Sequence, residues 1–178
     1  LENCLNDSQE IDIKSLFSKL NDIHLEFRPN HQVLELYLNG KNINKEIREL
    51  RVSNNVSIVA KQPEIRDFLL DFQRNLATKG GVIMDGRDIG TVILPNADFK
   101  FFVTASPVER ARRRHLQLQN AGTEVSYEEV FQNLITRDKI DSERDVAPLK
   151  KADDAILIDN TLLNKEETIA LILSHISK

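Results

Sequence analysis

Arginines and aspartates recur in this chain at spacings suited to holding an anionic ligand. Asp85-Gly86-Arg87-Asp88-Ile89-Gly90-Thr91 sets two carboxylates and a guanidinium directly after the apolar run Val82-Ile83-Met84. Its two glycines permit a tight bend, and ligands of open α/β sheets bind at the carboxyl ends of strands. Arg137, Asp141 and Arg144 follow at i, i+4 and i+7, which places all three on one helix face. Between these groups, Arg110, Arg112, Arg113 and Arg114 crowd the first turns of a helix opened by Ser106-Pro107-Val108-Glu109. Cations there oppose the macrodipole, so local helix stability does not call for them, and a polyphosphate is one partner that would. Each group also has a plainer reading: a charged turn, a solvated basic face, or a helix salt bridge with a spare arginine.

The surrounding patterns supply elements to position these residues. Val82–Met84, Phe99–Thr104 and Ala155–Ile158 read as short strands buried on both faces, the mark of a parallel sheet. Helices separate them. One runs from Pro107 to Gly122, a second is capped by Ser126 with Glu129, and a third is capped at Asn164 and packed through Ile169, Ile172, Leu173 and Ile176. The earlier part of the chain differs. A helix over Ile13–Asn21 precedes alternating strands at 23–27 and 34–38, and Asn39-Gly40 signals a two-residue hairpin into a third strand at 41–43. Helices then extend over Lys45–Ala60 and onward from Pro63. The pattern alone therefore predicts an α/β fold, with a parallel core and a small antiparallel insert.

Composition sets the outer bounds. At 178 residues, with 40% hydrophobic and 29% charged side chains, the chain can bury a core. A net charge of −4 argues against a dedicated nucleic-acid binder, so the twelve arginines suggest local use against anions or carboxylates. The single cysteine, Cys4, forms no internal disulfide and no metal cluster, which suits a cytoplasmic protein. No apolar run approaches the ~20 residues of a membrane-spanning helix. His24, His31 and His175 have no ligand-spaced partners and read as structural.

Taken together, the Asp85–Thr91 motif, the run Glu109–Gln119, Arg137-Asp138 through Asp141 to Arg144, Val146-Ala147-Pro148-Leu149, and Ala152–Ala155 leading into Ile158–Thr161 resemble the bacterial cytidylate kinases. These are nucleoside monophosphate kinases of the P-loop fold. The resemblance covers nearly the whole chain, and the conjunction is far more specific than any piece. It implies transfer of the ATP γ-phosphoryl group to CMP or dCMP with Mg²⁺, by a cytoplasmic monomer that engages neither nucleic acid nor membrane. A UMP kinase is the nearest rival, and a nucleotide-binding module without catalysis the more distant one. Ser57, Arg66 and Asp88 match the residues that read cytosine, whose amino donor and two acceptors want oxygens on one edge and a guanidinium on the other. Arg87 and Arg144 match the acceptor-phosphate arginines, and Arg137 with Asp141 the pair at the sugar. Arg110, Arg113 and Arg114 fall in the lid over the donor triphosphate. The implied layout is a remnant helix at 1–22, a monophosphate-binding insert at 23–78, a core at 79–106 and 145–178, and lid and acceptor helices at 107–144.

One departure is large. The family's Gly-rich phosphate loop ends in Gly-Lys followed by Thr or Ser, and no G-x-x-x-x-G-K-[ST] occurs in these 178 residues. No protein ligand for the metal is therefore identified. By the resemblance, residue 1 falls inside the second helix of a complete member, so the chain is expected to be a piece of a longer enzyme. The phosphate loop's strand would then lie centrally, leaving Val82–Met84 and Phe101–Val103 separated by one strand position, about 9–10 Å instead of ~4.8 Å.

Overall fold

Helix starts in this protein are fixed by short-range hydrogen bonds that its caps make legible. The computed structural model describes residue 4 and residues 11–31 and 33–176, and divides the chain into two units, Leu1–Asn75 and Leu76–Lys178.

In the first unit, Asp12 caps helix α1 (Ile13–Ser18), its Oδ1 accepting the Ser15 N–H at 3.1 Å. A 3₁₀ turn over Leu20–Asp22 leads to an antiparallel meander of β1 (Leu25–Asn30), β2 (Val33–Leu38) and β3 (Lys41–Asn42). Leu25 pairs with Leu38 and Asn30 with Val33, so Pro29 sits on an edge strand where its missing N–H breaks no ladder. Asn39 and Gly40 both adopt positive φ, 49° and 80°, the geometry of a two-residue turn whose twist matches the strands it joins. Phe27 of β1 stacks on Phe72, with ring centroids 6.1 Å apart. Phe72 belongs to α3 (Pro63–Ala77), which follows α2 (Leu50–Ala60). The helix expected over 45–60 is broken at Glu49, whose ψ of 149° separates a 3₁₀ turn at Glu46–Arg48 from α2.

The second unit holds a parallel pair, β4 (Phe101–Thr104) and β5 (Ile156–Asp159), in the register Phe101↔Ile156 to Thr104↔Asp159. Helices α4 (Pro107–Asn120) and α5 (Tyr127–Glu143) lie between them in sequence, and α6 (Lys165–Ile176) follows β5. Ile158 is nearly inaccessible in the centre of this unit, with Ala105, Ala111, Leu118 and Val130 also buried. Val82–Met84, expected as a buried strand, form no strand ladder, and Ile83 is fully exposed. The physical reason is that a strand exists through its neighbours. Among the described residues β4 pairs with β5 alone, so no ladder joins 82–84 to 101–103.

Two of three expected caps are complete. Ser126 and Glu129 exchange both bonds of a capping box, and Asn164 and Glu167 do the same at 2.8 Å each. At α4 only half the box forms. Ser106 Oγ accepts the Glu109 N–H at 3.3 Å, but the Glu109 carboxylate turns to Arg112 and Arg113, while the Ser106 N–H donates to Thr161 Oγ1 at 2.8 Å. Two guanidinium donors outcompete one backbone amide for a carboxylate, because charge-assisted bonds are about twice as strong as neutral ones.

These bonds hold the Glu109 carboxyl down to about 2, first through Arg112 and then Arg113. A lowered folded-state pKa gives stability that is complete above the unfolded value of 4.5 and is lost as pH falls towards 2. Glu109→Gln should therefore melt below the wild type at neutral pH, and the gap should close between pH 4.5 and 2. Thermal melts across that range check the sign.

Candidate active site

The Asp85–Asp88 bend is fixed from its far side. Asp88, at φ −138° and ψ 19°, starts a single turn of π-helix over Ile89–Ile93, and its carbonyl accepts the Val92 and Ile93 N–H groups at 2.9 and 3.3 Å. Ile93 is buried beneath it. Thr91 Oγ1 adds a third bond to the same carbonyl at 3.3 Å. With its backbone held in this way, Asp88 presents a side chain that is itself buried, at 8% exposure. Such π-turns occur often at functional sites.

Helix α5 brings the second set of groups. Asp138 and Asp141 lie one turn apart near its carboxyl end, and Arg144 is the residue that caps it, with ψ 142°. The expected i, i+4, i+7 stripe thus ends one residue beyond the helix, yet the Arg144 side chain still returns to Asp141. Asp141 is 3% exposed and Arg144 7%. Asp141 Oδ2 accepts Arg87 Nε at 3.1 Å, and its Oδ1 lies 3.6 Å from Arg144 Nη1. Arg144 Nη2 reaches Asp88 Oδ1 at 3.5 Å. Asp88, Arg87, Asp141 and Arg144 therefore form one connected network from two regions of the chain more than fifty residues apart.

The Arg144 guanidinium is anchored unevenly. Its Nε donates to the Ala147 carbonyl at 2.7 Å, whereas both carboxylate contacts are long beside the ~2.7–2.9 Å of a tight charge-assisted bond. The Nε edge is fixed by that bond, and the two Nη atoms face the two carboxylates. Ala147 holds that anchor in a left-handed conformation, φ 50°. The Leu149 N–H, donating at 2.7 Å to the Asp141 carbonyl, closes the same turn. Burial, then the Arg87 charge, lowers the pKa of neighbouring Arg137, whose Nε is buried and makes no hydrogen bond.

The arginine run of α4 divides. Arg110 joins the network: its Nε donates to the Ala105 carbonyl at 3.0 Å, and its Nη1 to Asp138 Oδ2 at 2.6 Å. Arg113 turns elsewhere, donating to Glu109, to Asn160 Oδ1 at 3.0 Å, and to the carbonyls of Asn160 and Leu163 at 2.8 and 3.1 Å. It ties the start of α4 to the segment after β5, beside a cavity of about 690 Å³. Arg113, expected at the donor triphosphate, makes these structural contacts from the first turns of α4. Arg114 donates to Gln117 at 2.6 Å on the exposed side of the helix. Ser57 and Arg66 belong to the first unit. Ser57 is buried on α2 with its Oγ lacking a hydrogen bond, and Arg66 Nη1 reaches the Ala60 carbonyl at 3.4 Å.

Residues matching the cytidylate kinase family model extend over 3–178. The chain belongs to the cytidylate kinase family. It is 48% identical over 166 residues to the cytidylate kinase of Flavobacterium johnsoniae, an overlap of 92% of this chain and 72% of that protein. Identity to the Carboxydothermus hydrogenoformans cytidylate kinase is 44% over 178 residues, all of this chain and 79% of the relative. The cytidylate kinase of Bacillus cereus strain ATCC 10987 is likewise 44% identical over 172 residues, 95% of this chain and 76% of the relative. The protein is thus a phosphotransferase of the α/β P-loop class, and its parallel strands and antiparallel meander agree with that assignment. No described helix is long and apolar enough to cross a membrane.

Asp138 and Ala147, quoted within the motifs but given no role from sequence, are the further residues that the structure joins to this network. Asp138 stands one helical turn before Asp141, which was the available signal. Ala147 gave none, since alanine does not announce a positive φ.

Two stability outcomes follow from this geometry. Asp141→Ala takes the shared carboxylate from half-exposed Arg87 and from buried Arg144, and should cost about 3 kcal/mol. A helix-surface pair would cost about 0.5 kcal/mol or less, so urea denaturation separates the two. Ala147→Gly relieves a left-handed conformation that costs a non-glycine residue about 1 kcal/mol, and should raise the denaturation midpoint or leave it unchanged.

Proposed function

We propose that the protein transfers the γ-phosphoryl group of ATP to CMP and dCMP, giving CDP and dCDP, as a cytoplasmic monomer. The observation that carries this reading is the buried network Asp88–Arg144–Asp141–Arg87, in which two guanidiniums share one carboxylate. An incoming phosphate would be met by the Nη atoms of Arg144, which face Asp88 and Asp141, and by the half-exposed Arg87. Asp141 then keeps both oriented and is available to the ribose hydroxyls alongside Arg137. Asp88, an acceptor-only group, suits the cytosine amino donor, and Ser57 with Arg66 would serve the remaining ring edge. Arg110, Arg113 and Arg114 are assigned to the donor phosphates.

Phosphoryl transfer requires little covalent participation by the protein. Alignment of the acceptor oxygen with the γ-phosphorus, together with charge neutralisation on the moving group, accounts for most of the acceleration. The arginine-rich cluster matches that need without a histidine base or a nucleophilic serine. Mg²⁺ would shield charge on the donor phosphates. Among the described residues no group of three His, Cys, Asp or Glu side chains could hold a metal ion. On this reading the metal would enter with the ATP phosphates. The donor-phosphate cradle is assigned to none of these 178 residues, which contain no G-x-x-x-x-G-K-[ST].

Asp88→Asn tests the base-reading role because it preserves shape and replaces an acceptor-only carboxylate with a mixed amide. In the full-length enzyme, kcat/KM for CMP should fall by one to three orders of magnitude, about 1–4 kcal/mol. UMP, which presents a carbonyl in place of the amino group, should lose less. Equal losses would confine Asp88 to holding Arg144. A wild-type protein that binds CMP but yields no CDP with ATP would favour a non-catalytic binding module.

A further inference from the structure

We propose that Asp138 is a positioning residue that holds Arg87 and Arg110 as a single unit, linking the acceptor side of the site to the donor side. The inference rests on the functional reading above, in which Arg87 serves the acceptor phosphate and Arg110 the donor. Asp138 Oδ2 binds Arg110 Nη1 at 2.6 Å, and Oδ1 lies 3.9 Å from Arg87 Nη2. That second separation is an ion pair but exceeds hydrogen-bonding reach. Oδ1 is buried and has no hydrogen-bond partner. A buried carboxylate oxygen without a donor is costly, so its position beside a guanidinium needs a reason beyond packing.

Each of the two arginines has one edge fixed independently of Asp138. Arg87 Nε is held by Asp141 at 3.1 Å, and Arg110 Nε by the Ala105 carbonyl at 3.0 Å. What Asp138 adds is the distance between them. It also offsets crowded positive charge, since the Arg87 and Arg114 charges both act to lower the pKa of nearby Arg137. Without that carboxylate the guanidiniums repel and separate. In a complex with one nucleotide, the phosphate itself can gather its own arginine. Only when both nucleotides approach the transition state must the two arginines stand at one fixed spacing, and there Asp138 acts. Its loss should therefore appear in kcat, whereas the added net positive charge leaves KM unchanged or lower.

The test is steady-state kinetics of the full-length enzyme with CMP and ATP, for wild type, Asp138→Asn, Asp138→Glu, Arg110→Ala and the Asp138→Asn/Arg110→Ala double variant. Asp138→Asn should lower kcat at least about tenfold, with KM for both nucleotides within about threefold of wild type or below it. Asp138→Glu, which keeps the charge but displaces it, should fall between the two. In the Arg110→Ala background the Asp138→Asn effect should shrink below about threefold, because the residues act as one unit. A full tenfold loss persisting in that background overturns the proposal. So does an unchanged kcat, or a KM for CMP raised about tenfold at constant kcat, as a purely structural role would give. If Asp138→Asn does not fold, Asp138→Glu decides: lowered kcat at constant KM supports the proposal, and wild-type kinetics overturn it. A wild type that makes no CDP overturns the functional reading and this inference with it, whereas an active wild type with additive variants overturns this inference alone.

Discussion

Asp141 is the constraint on which the described site depends. A carboxylate 3% exposed is costly in a protein interior without partners, and here it has Arg87 and Arg144. Those partners come from the bend after residue 84 and from the end of α5. One buried charge therefore fixes where two distant pieces of chain meet. Buried ion pairs contribute little net stability compared with apolar packing, but they tolerate few alternative arrangements. The benefit here is placement: two guanidiniums held on one carboxylate, Arg144 buried and Arg87 half-exposed.

The elements around Asp141 can be understood as supports for that placement. The π-turn after Asp88 spends three donors on one carbonyl, which fixes the bend without using the Asp88 carboxylate. Left-handed Ala147 aims its carbonyl at Arg144 Nε, and the Leu149 N–H ties the same turn back to α5. On α4, Arg113 clamps the segment after β5, while Arg110, three residues earlier, faces Asp138. A single basic run thus carries both a scaffold contact and a site contact. Arg110 and Arg113, three residues apart, share a helix face, so the groups packed against that face decide which partner each takes.

What could be read from sequence was local. The Ser126 and Asn164 caps, the Asn39-Gly40 turn and the alternating strands all rest on interactions a few residues long, and they occur as expected. The family was legible because several charged motifs keep their order and spacing over nearly the whole chain, and the family match over 3–178 agrees. Outcomes that depend on a distant partner were not legible. Val82–Met84 has strand-like composition but no ladder among the described residues. Glu109 satisfies the capping-box pattern, yet two arginines one turn further along take its carboxylate. Asp141 reads as a helix-surface partner of Arg137, and its ion pairs are instead with Arg87 and Arg144. In each case the deciding group lies outside the window that the pattern spans.

The most direct test of this account is a crystal structure of the full-length enzyme with CMP bound. The account predicts acceptor-phosphate oxygens within about 3 Å of guanidinium nitrogens of both Arg87 and Arg144, with Arg144 Nε still on the Ala147 carbonyl and Asp141 turned to the ribose. The contradicting result is a phosphate seated elsewhere, for instance in the cavity beside Arg112 and Arg113, while Arg87 and Arg144 remain on Asp141 as they are here.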